Sequence, residues 1–280
     1  MKKALLAGLF CVISTLSLQA QNVVLFTDDF QLGAGNWTMN GAGPGTPTGT
    51  NIWTMNNNFI GAPTYNDNIS QDSTYSGTIA FAPYSNNLHI YDQPTGITNC
   101  NYDPNVTSDQ FTFMTAGVCT QAIDSVHFSF FYMCQGDVNA WGEVWYSANG
   151  GPWIQVGQLG GYNNRYKWQY EDIYDPAFAG LNDLRFGFRW RNTSGASVDS
   201  IAMAVDDIII VGEYSGTATI VVDSVSPNPV CQGGFLLIYW HLTDTLCDGT
   251  YAIDLSGPTG IFNTANTWVA NINNPQMSGV

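Results

Sequence analysis

The sequence predicts an all-β protein built as a two-sheet antiparallel sandwich. Three observations carry that prediction. Turn residues recur so often that few windows longer than about ten lack Gly, Pro, Asn or Asp, which leaves little room for helices. Several short segments alternate apolar and polar residues with the period of a strand. The chain is 45% hydrophobic and 14% aromatic, enough apolar surface for a packed core.

Taken in order, the strands are legible one by one. "VHFSFFYMC" sets Val126, Phe128, Phe130 and Tyr132 against His127, Ser129, Phe131 and Met133, so both faces are largely apolar and the strand belongs inside the sandwich. "GEVWYSANGGPWIQVG" reads as a hairpin, with Glu143 to Ser147 and Trp153 to Val156 joined by a turn at Asn149, Gly150 and Gly151. In "LRFGFRWRN", Leu184, Phe186, Phe188 and Trp190 point inward while Arg185, Gly187, Arg189 and Arg191 point outward. "VDDIIIVGE" closes the series. The composition changes at "GEYSGTAT", after which residues 217–280 give a strand, a Pro-rich turn and further strands.

Residues 1–20, "MKKALLAGLFCVISTLSLQA", have the plan of a secretory signal peptide: Lys2 and Lys3, an apolar run, then small and polar residues ending at Ala20. "GLFC" lacks the small residue that a lipoprotein signal places before its cysteine, Cys11. A secreted or cell-surface location follows as the expectation, with export machinery as a partner. No later stretch approaches the ~18 to 20 unbroken apolar residues that span a bilayer, so membrane insertion is not expected. Without Lys2 and Lys3 the seven basic residues fall to five against 22 acids, a net charge of −17. That balance disfavours nucleic acid, whose phosphates call for Lys and Arg. Of the acids 19 are Asp and three are Glu, a ratio suited to loops, turns and calcium shells.

Beyond the leader there are five cysteines. Export permits disulfides, and the expected pairs are Cys100 with Cys119 and Cys231 with Cys247, leaving Cys134 free. None of the spacings fits a zinc site.

Four segments occur in an order that resembles a known family: "DDFQLGAGNWT", "FSFFYMCQGD", "WGEVWYSANGGPW" and "IAMAVDDIIIVGE". Together they resemble the MAM and cleaved-adhesin type of jelly-roll, concanavalin-like sandwich over residues 24–213. The implied organisation is a jelly-roll domain at 21–216 and an immunoglobulin-like module at 217–280, the latter shorter than the roughly 100 residues usual for that fold. "SPNPVCQGG" and "YAIDLSGPTGIF" are similar to modules that follow such domains in secreted Bacteroidota proteins exported by the type IX system.

The resemblance also places the first and last strands side by side, so the acids of "TDDF" and "VDDI" come to one sheet edge. It implies calcium there, with Asp28, Asp29, Asp206 and Asp207 as the candidate ligands and Asp29 with one of Asp206 or Asp207 favoured. Calcium takes six to eight oxygens and readily combines carboxylates with carbonyls. Adjacent strand residues face opposite ways, however, so Asp206 and Asp207 reach one ion only if a bulge intervenes. The alternative is that one Asp of each pair hydrogen-bonds its own loop and the other is solvated.

Catalysis finds little support. Three scattered Glu (143, 171, 213) give no paired acids of the jelly-roll glycosidase kind. His89, His127 and His241 have strand-like surroundings, and no Gly-x-Ser-x-Gly elbow is present. Aromatic residues are more suggestive. Trp141, Trp145, Tyr146 and Trp153 lie around the hairpin, while "GGYNNRYKWQY" reads as a contact loop carrying Tyr162, Arg165, Tyr166, Lys167 and Trp168. The opposing reading is that Trp168 and its neighbours cap the core edge. Four Asp-Ser/Thr-aliphatic triplets, beginning at Asp124, Asp199, Asp223 and Asp244, resemble O-glycan acceptors of exported Bacteroidota proteins.

The expected function is therefore non-catalytic adhesion or recognition of an extracellular glycan or protein ligand, by a calcium-stabilised module acting through loops. The alternative is an accessory binding domain of a larger secreted peptidase or polysaccharidase.

Overall fold

A computed structural model of the chain describes residues 21–56, 86–96, 100–196, 202–214, 220–226, 237–242, 250–254, 268–273 and 278–279. The leader at 1–20 and the expected Cys231–Cys247 pair lie outside them. Among the described residues there is no α-helix. None of their helical segments is long and apolar enough to cross a membrane.

Eleven strands make the sandwich: β1 (Gln21–Asp28), β2 (Trp37–Thr38), β3 (Asn51–Asn56), β4 (Asn87–Asp92), β5 (Ser108–Met114), β6 (Ile123–Cys134), β7 (Ala140–Ala148), β8 (Trp153–Val156), β9 (Arg165–Tyr174), β10 (Leu184–Asn192) and β11 (Met203–Tyr214). One sheet runs β3-β4-β11-β6-β9, with β1 also on β11; the other runs β2-β5-β10-β7-β8. All pairings within them are antiparallel. Chain neighbours β5, β6 and β7, and again β9, β10 and β11, alternate between the sheets, which is jelly-roll winding.

The alternation read from the sequence sets the two faces of each strand. Leu184, Phe186, Phe188 and Trp190 of β10 are fully buried, as are Val126, Phe128 and Phe130 of β6. Phe128 and Phe186 stack between the sheets with ring centres 3.9 Å apart and planes within 2°. Phe188 meets Trp37, Trp53 and Phe130 in turn. Each such ring contributes about 1.5–3 kcal/mol on leaving water. The hairpin turn is also as expected: Asn149 and Gly150 both have positive φ, 53° and 69°, the backbone that a tight two-residue turn requires.

Beyond the sandwich, β12 (Ile220–Ser226), β13 (Leu237–Leu242) and β16 (Ser278–Gly279) form a three-stranded sheet, and β14 (Thr250–Asp254) pairs with β15 (Trp268–Asn273).

The expected Cys100–Cys119 disulfide is not formed. Cys100 and Cys134 are buried free thiols, and Cys119 is disulfide-bonded to a partner outside the described residues. Distance is the reason. Val118 bridges Leu184 at the start of β10. Cys100 accepts from Ala202, beyond the far end of that strand, where Asn192 also bonds Asp103. Nine residues of strand put the two cysteines roughly 27 Å apart. Burial raises both free thiols, Cys134 to about 12 and Cys100 well above normal.

Candidate functional site

The paired acids occupy a junction in β11. On one edge, this strand pairs with β4 through Ala204 and Val205, and with β1 from Ile208 onward. Asp206 and Asp207 fall between the two partners, and the register with β6 slips between Asp206 and Ile209. Asp207 has φ 48°, and a bulge, the condition under which both acids could turn to one face, is present here. Asp28, at the end of β1, lies across from Ile208.

The structure brings the two Asp pairs to one edge without gathering them around one point. Both carboxylate oxygens of Asp28 are occupied by N–H donors: Phe30 N at 2.8 Å on one, Asn36 Nδ2 at 3.1 Å and Trp37 Nε1 at 2.9 Å on the other. Asp29 is exposed and accepts from Gln31 N in a short turn. Asp206 is buried and accepts from the N–H of Asp207. Among the described residues no three His, Cys, Asp or Glu side chains group so as to hold a metal ion. The donor set of Asp28 fits a buried carboxylate that organises a loop better than a calcium ligand.

The segment "GGYNNRYKWQY" is loop only over residues 160–164, since β9 begins at Arg165. Tyr162 is fully buried, its hydroxyl bonded to Glu171 at 3.2 Å and its ring set edge-on to Tyr132. Trp168 is 8% exposed and belongs to the core. Arg165 is exposed; the side chains of Tyr166 and Lys167 lie outside the described set. In the sequence Tyr166, Trp168 and Tyr170 do alternate with Lys167 and Gln169; the register with β6 slips between Gln169 and Arg165, which puts Trp168 inward and Tyr170 outward. Ser125, in one of the glycan-acceptor triplets, lies in β6 and bonds Glu213.

A different constellation covers the outer face of the five-stranded sheet. Arg191 lies opposite Trp141, Arg189 opposite Glu143, and Gly187 opposite Trp145, on one side; Arg191, Arg189 and Gly187 face Asp109, Phe111 and Phe113 on the other. Glu143 is its hub. The carboxylate accepts from Trp141 Nε1 at 2.8 Å, Trp145 Nε1 at 2.9 Å and Arg189 Nη1 at 3.3 Å. Asp109 grips Arg189 through two bonds of 2.7 and 2.6 Å. Burial works against the Arg189 charge, but Asp109 and then Glu143 more than offset it and hold its pKa above the ordinary value. The guanidinium of Arg189 lies 5.7 Å from the Trp145 ring centre, and that of Arg191 lies 4.9 Å from Trp141.

Glycines let the rest of the face close up. Gly187 leaves room for Phe111, whose Cζ would sit 2.4 Å from an added Cβ. Trp153 reaches across to touch both Phe111 and Phe113. The "GAGPG" stretch runs over this cluster, with Gly41 against Phe113, Gly43 against Phe111 and Gly45 against the Asp109–Arg189 pair. What stays half-buried and reachable is Trp141, Trp145, Trp153, Phe113 and Arg191. The sequence signals were the outward Arg-x-Arg of β10 and the Trp-x-Glu-x-Trp of β7, two patterns whose meaning depends on their register.

The outer face of the six-stranded sheet carries a second aromatic group. Tyr170 and Tyr174 are 53% and 51% exposed, beside Phe131 and His127, and His127 Nδ1 lies 3.1 Å from Asp172.

No family model matches the chain, and no curated protein matches it. Solved structures similar to it include the CBM22-1 xylan-binding domain of Paenibacillus barcinonensis Xyn10C, at 12% identity and a TM-score of 0.36, covering 70% of this chain and 99% of that one. The K1 cleaved adhesin domain of Lys-gingipain from Porphyromonas gingivalis W83 is similar at 14% identity and a TM-score of 0.35, covering 68% and 97%. The enzymatically active domain of bacteriophage CBA120 tailspike protein 4 is similar at 11% and 0.34, covering 65% of this chain and 20% of that one. Similarity at this level assigns no ligand to the chain.

Proposed function

We propose that the protein is a secreted or cell-surface recognition module, non-catalytic, which binds a glycan on the outer face of its five-stranded sheet. The leader-like residues 1–20 support the location, and residues 217–280 are read as an immunoglobulin-like module beside the binding domain. Export by the type IX system rests on the sequence resemblance alone. The observation that carries the reading is the arrangement around Glu143. One carboxylate fixes the orientation of two indoles, and two guanidinium groups lie against those indoles.

Half-buried Trp and Arg side chains held in place before a ligand arrives lose little entropy on binding, and these residue types dominate recognition hot spots. Their apolar faces suit the C–H side of a pyranose ring, and the Arg donors suit its oxygens. A protein ligand docked through the exposed tyrosines of β9 is the second reading, favoured by the exposure of Tyr170 and Tyr174. Calorimetric titration against a panel of plant and bacterial oligosaccharides tests the proposal, with Trp145→Ala and Trp153→Ala set beside Tyr170→Ala/Tyr174→Ala. Loss of binding in the tryptophan variants alone supports the five-stranded face; loss in the tyrosine pair alone moves the site to the other sheet.

A further inference from the structure

We infer that the ligand of this face is an acidic glycan, a chain containing uronate residues, and that Arg191 is the residue that reads its carboxylate. The inference rests on the glycan-binding reading above and names the chemical class bound there.

Basic residues are scarce and concentrated. Beyond Lys2 and Lys3 the chain has only Arg165, Lys167, Arg185, Arg189 and Arg191, and three of these project from β10 onto the outer face. Two of the three are already engaged. Arg185 bonds both oxygens of Asp183 and the carbonyl of Thr115. Arg189 is held by Asp109 and Glu143 on three bonds. Arg191 differs: among the described residues its acidic partner is Glu143, an ion pair at 3.8 Å, beyond hydrogen-bond distance, and its side chain is 38% exposed.

Glu143 is not waiting for Arg191, because its two oxygens already take two indole N–H groups and Arg189. Asp109 is likewise committed to Arg189. Among the described residues the Arg191 fork makes no hydrogen bond; it lies against Trp141, with only the longer ion pair to Glu143. A planar fork pairs best with a planar carboxylate, through two parallel bonds. In a uronate the carboxylate is attached to a pyranose ring, so one sugar unit satisfies Arg191 and presents its C–H face to the neighbouring aromatics. Three of the five basic residues beyond Lys2 and Lys3 lie on this face, matched in charge by Asp109, Glu143 and Asp183, so the attraction for a carboxylate comes from the open donors of Arg191.

The test compares an oligogalacturonate with a neutral xylo-oligosaccharide of equal length and with a sulfated galactan fragment, by calorimetry on the full protein. Arg191→Gln and Arg191→Lys are measured in parallel, each checked for unchanged thermal unfolding. The expected result is at least a tenfold preference for the uronate chain, lost in Arg191→Gln and only partly kept in Arg191→Lys, which retains charge but not the fork. Equal binding of the neutral chain, or the same preference in Arg191→Gln, overturns the carboxylate assignment while leaving glycan binding in place. Preference for the sulfated chain also overturns it, in favour of a different anion. Binding of none of the three overturns this inference, and failure across the wider oligosaccharide panel is what removes the glycan reading beneath it.

Discussion

Trp141 and Trp145, four residues apart on β7, donate their indole N–H groups to the same carboxylate, that of Glu143, at 2.8 and 2.9 Å. Because Glu143 also bonds Arg189 from the adjacent strand, one buried acid couples both aromatic rings to the charge network of the face. Glu143→Ala removes the hub and leaves two indole donors and a largely buried guanidinium short of an acceptor. A loss of about 2–4 kcal/mol is expected in denaturant unfolding, together with a changed tryptophan emission spectrum. Glu143→Gln, which keeps one acceptor oxygen, should cost less than half as much.

Gly187 is required by its neighbours rather than by its own backbone. An added Cβ would lie 2.4 Å from Phe111 Cζ and 2.8 Å from the Thr112 carbonyl oxygen. Gly187→Ala should destabilise the protein by about 1–3 kcal/mol through overpacking. Combining it with Phe111→Ala should recover less than the whole loss, because the backbone contact remains; chemical denaturation of the single and double variants measures this directly.

His89 makes stability depend on mild acid. It is fully buried in β4, with Nδ1 3.0 Å from the Ile90 carbonyl oxygen and Nε2 3.1 Å from the Asn56 side-chain amide, so the neutral ring donates only one of these two contacts, and burial lowers its pKa from 6.5 to about 4. The unfolded chain therefore takes up the proton first. The stability contributed by keeping His89 neutral is full above about pH 6.5 and declines toward pH 4, by about 3 kcal/mol in all. His89→Gln should flatten the unfolding free energy between about pH 6.5 and 5.5, above the range in which ordinary carboxylates take up most of their protons.

The junction at Asp28 and Asp207 gives a calcium test with a definite direction. Since Asp28 is bonded to three N–H groups, calcium in millimolar excess should leave the thermal midpoint within about 1 °C of its value in EDTA. Asp28→Ala should still destabilise by about 1–3 kcal/mol, through the donors it leaves buried. A calcium-dependent rise that vanishes in Asp28→Ala or Asp207→Ala would place an ion at the junction.

Much of the fold was legible because strand alternation is a local signal. β6, β8, β10 and β11 follow from residue patterns that each span fewer than about a dozen positions. The bulge at Asp207 was not predicted: the doubled acid raised it only as the condition for a shared ion, and the register slip that shows it is set by pairing with β6. The site was less legible than the fold. Glu143, Arg189 and Arg191 look like ordinary surface charges until the pairing of β7 with β10 sets Glu143 beside Arg189 and Trp141 beside Arg191. Register is non-local, and sequence periodicity within one strand does not carry it. Tyr162 and Trp168 misled for the opposite reason: an aromatic-rich stretch beside Arg and Lys resembles an exposed loop, yet Tyr162 bonds Glu171 inside the core edge.

The most direct test of glycan binding on the five-stranded face is an indole N–H titration by nuclear magnetic resonance. Signals assigned to Trp141 and Trp145 should start downfield, because both donate to a carboxylate, and should shift as oligosaccharide is added, while those of the buried Trp53 and Trp190 stay fixed. Unchanged Trp141 and Trp145 signals in the presence of a glycan that binds by calorimetry would contradict the account and move the ligand to another surface.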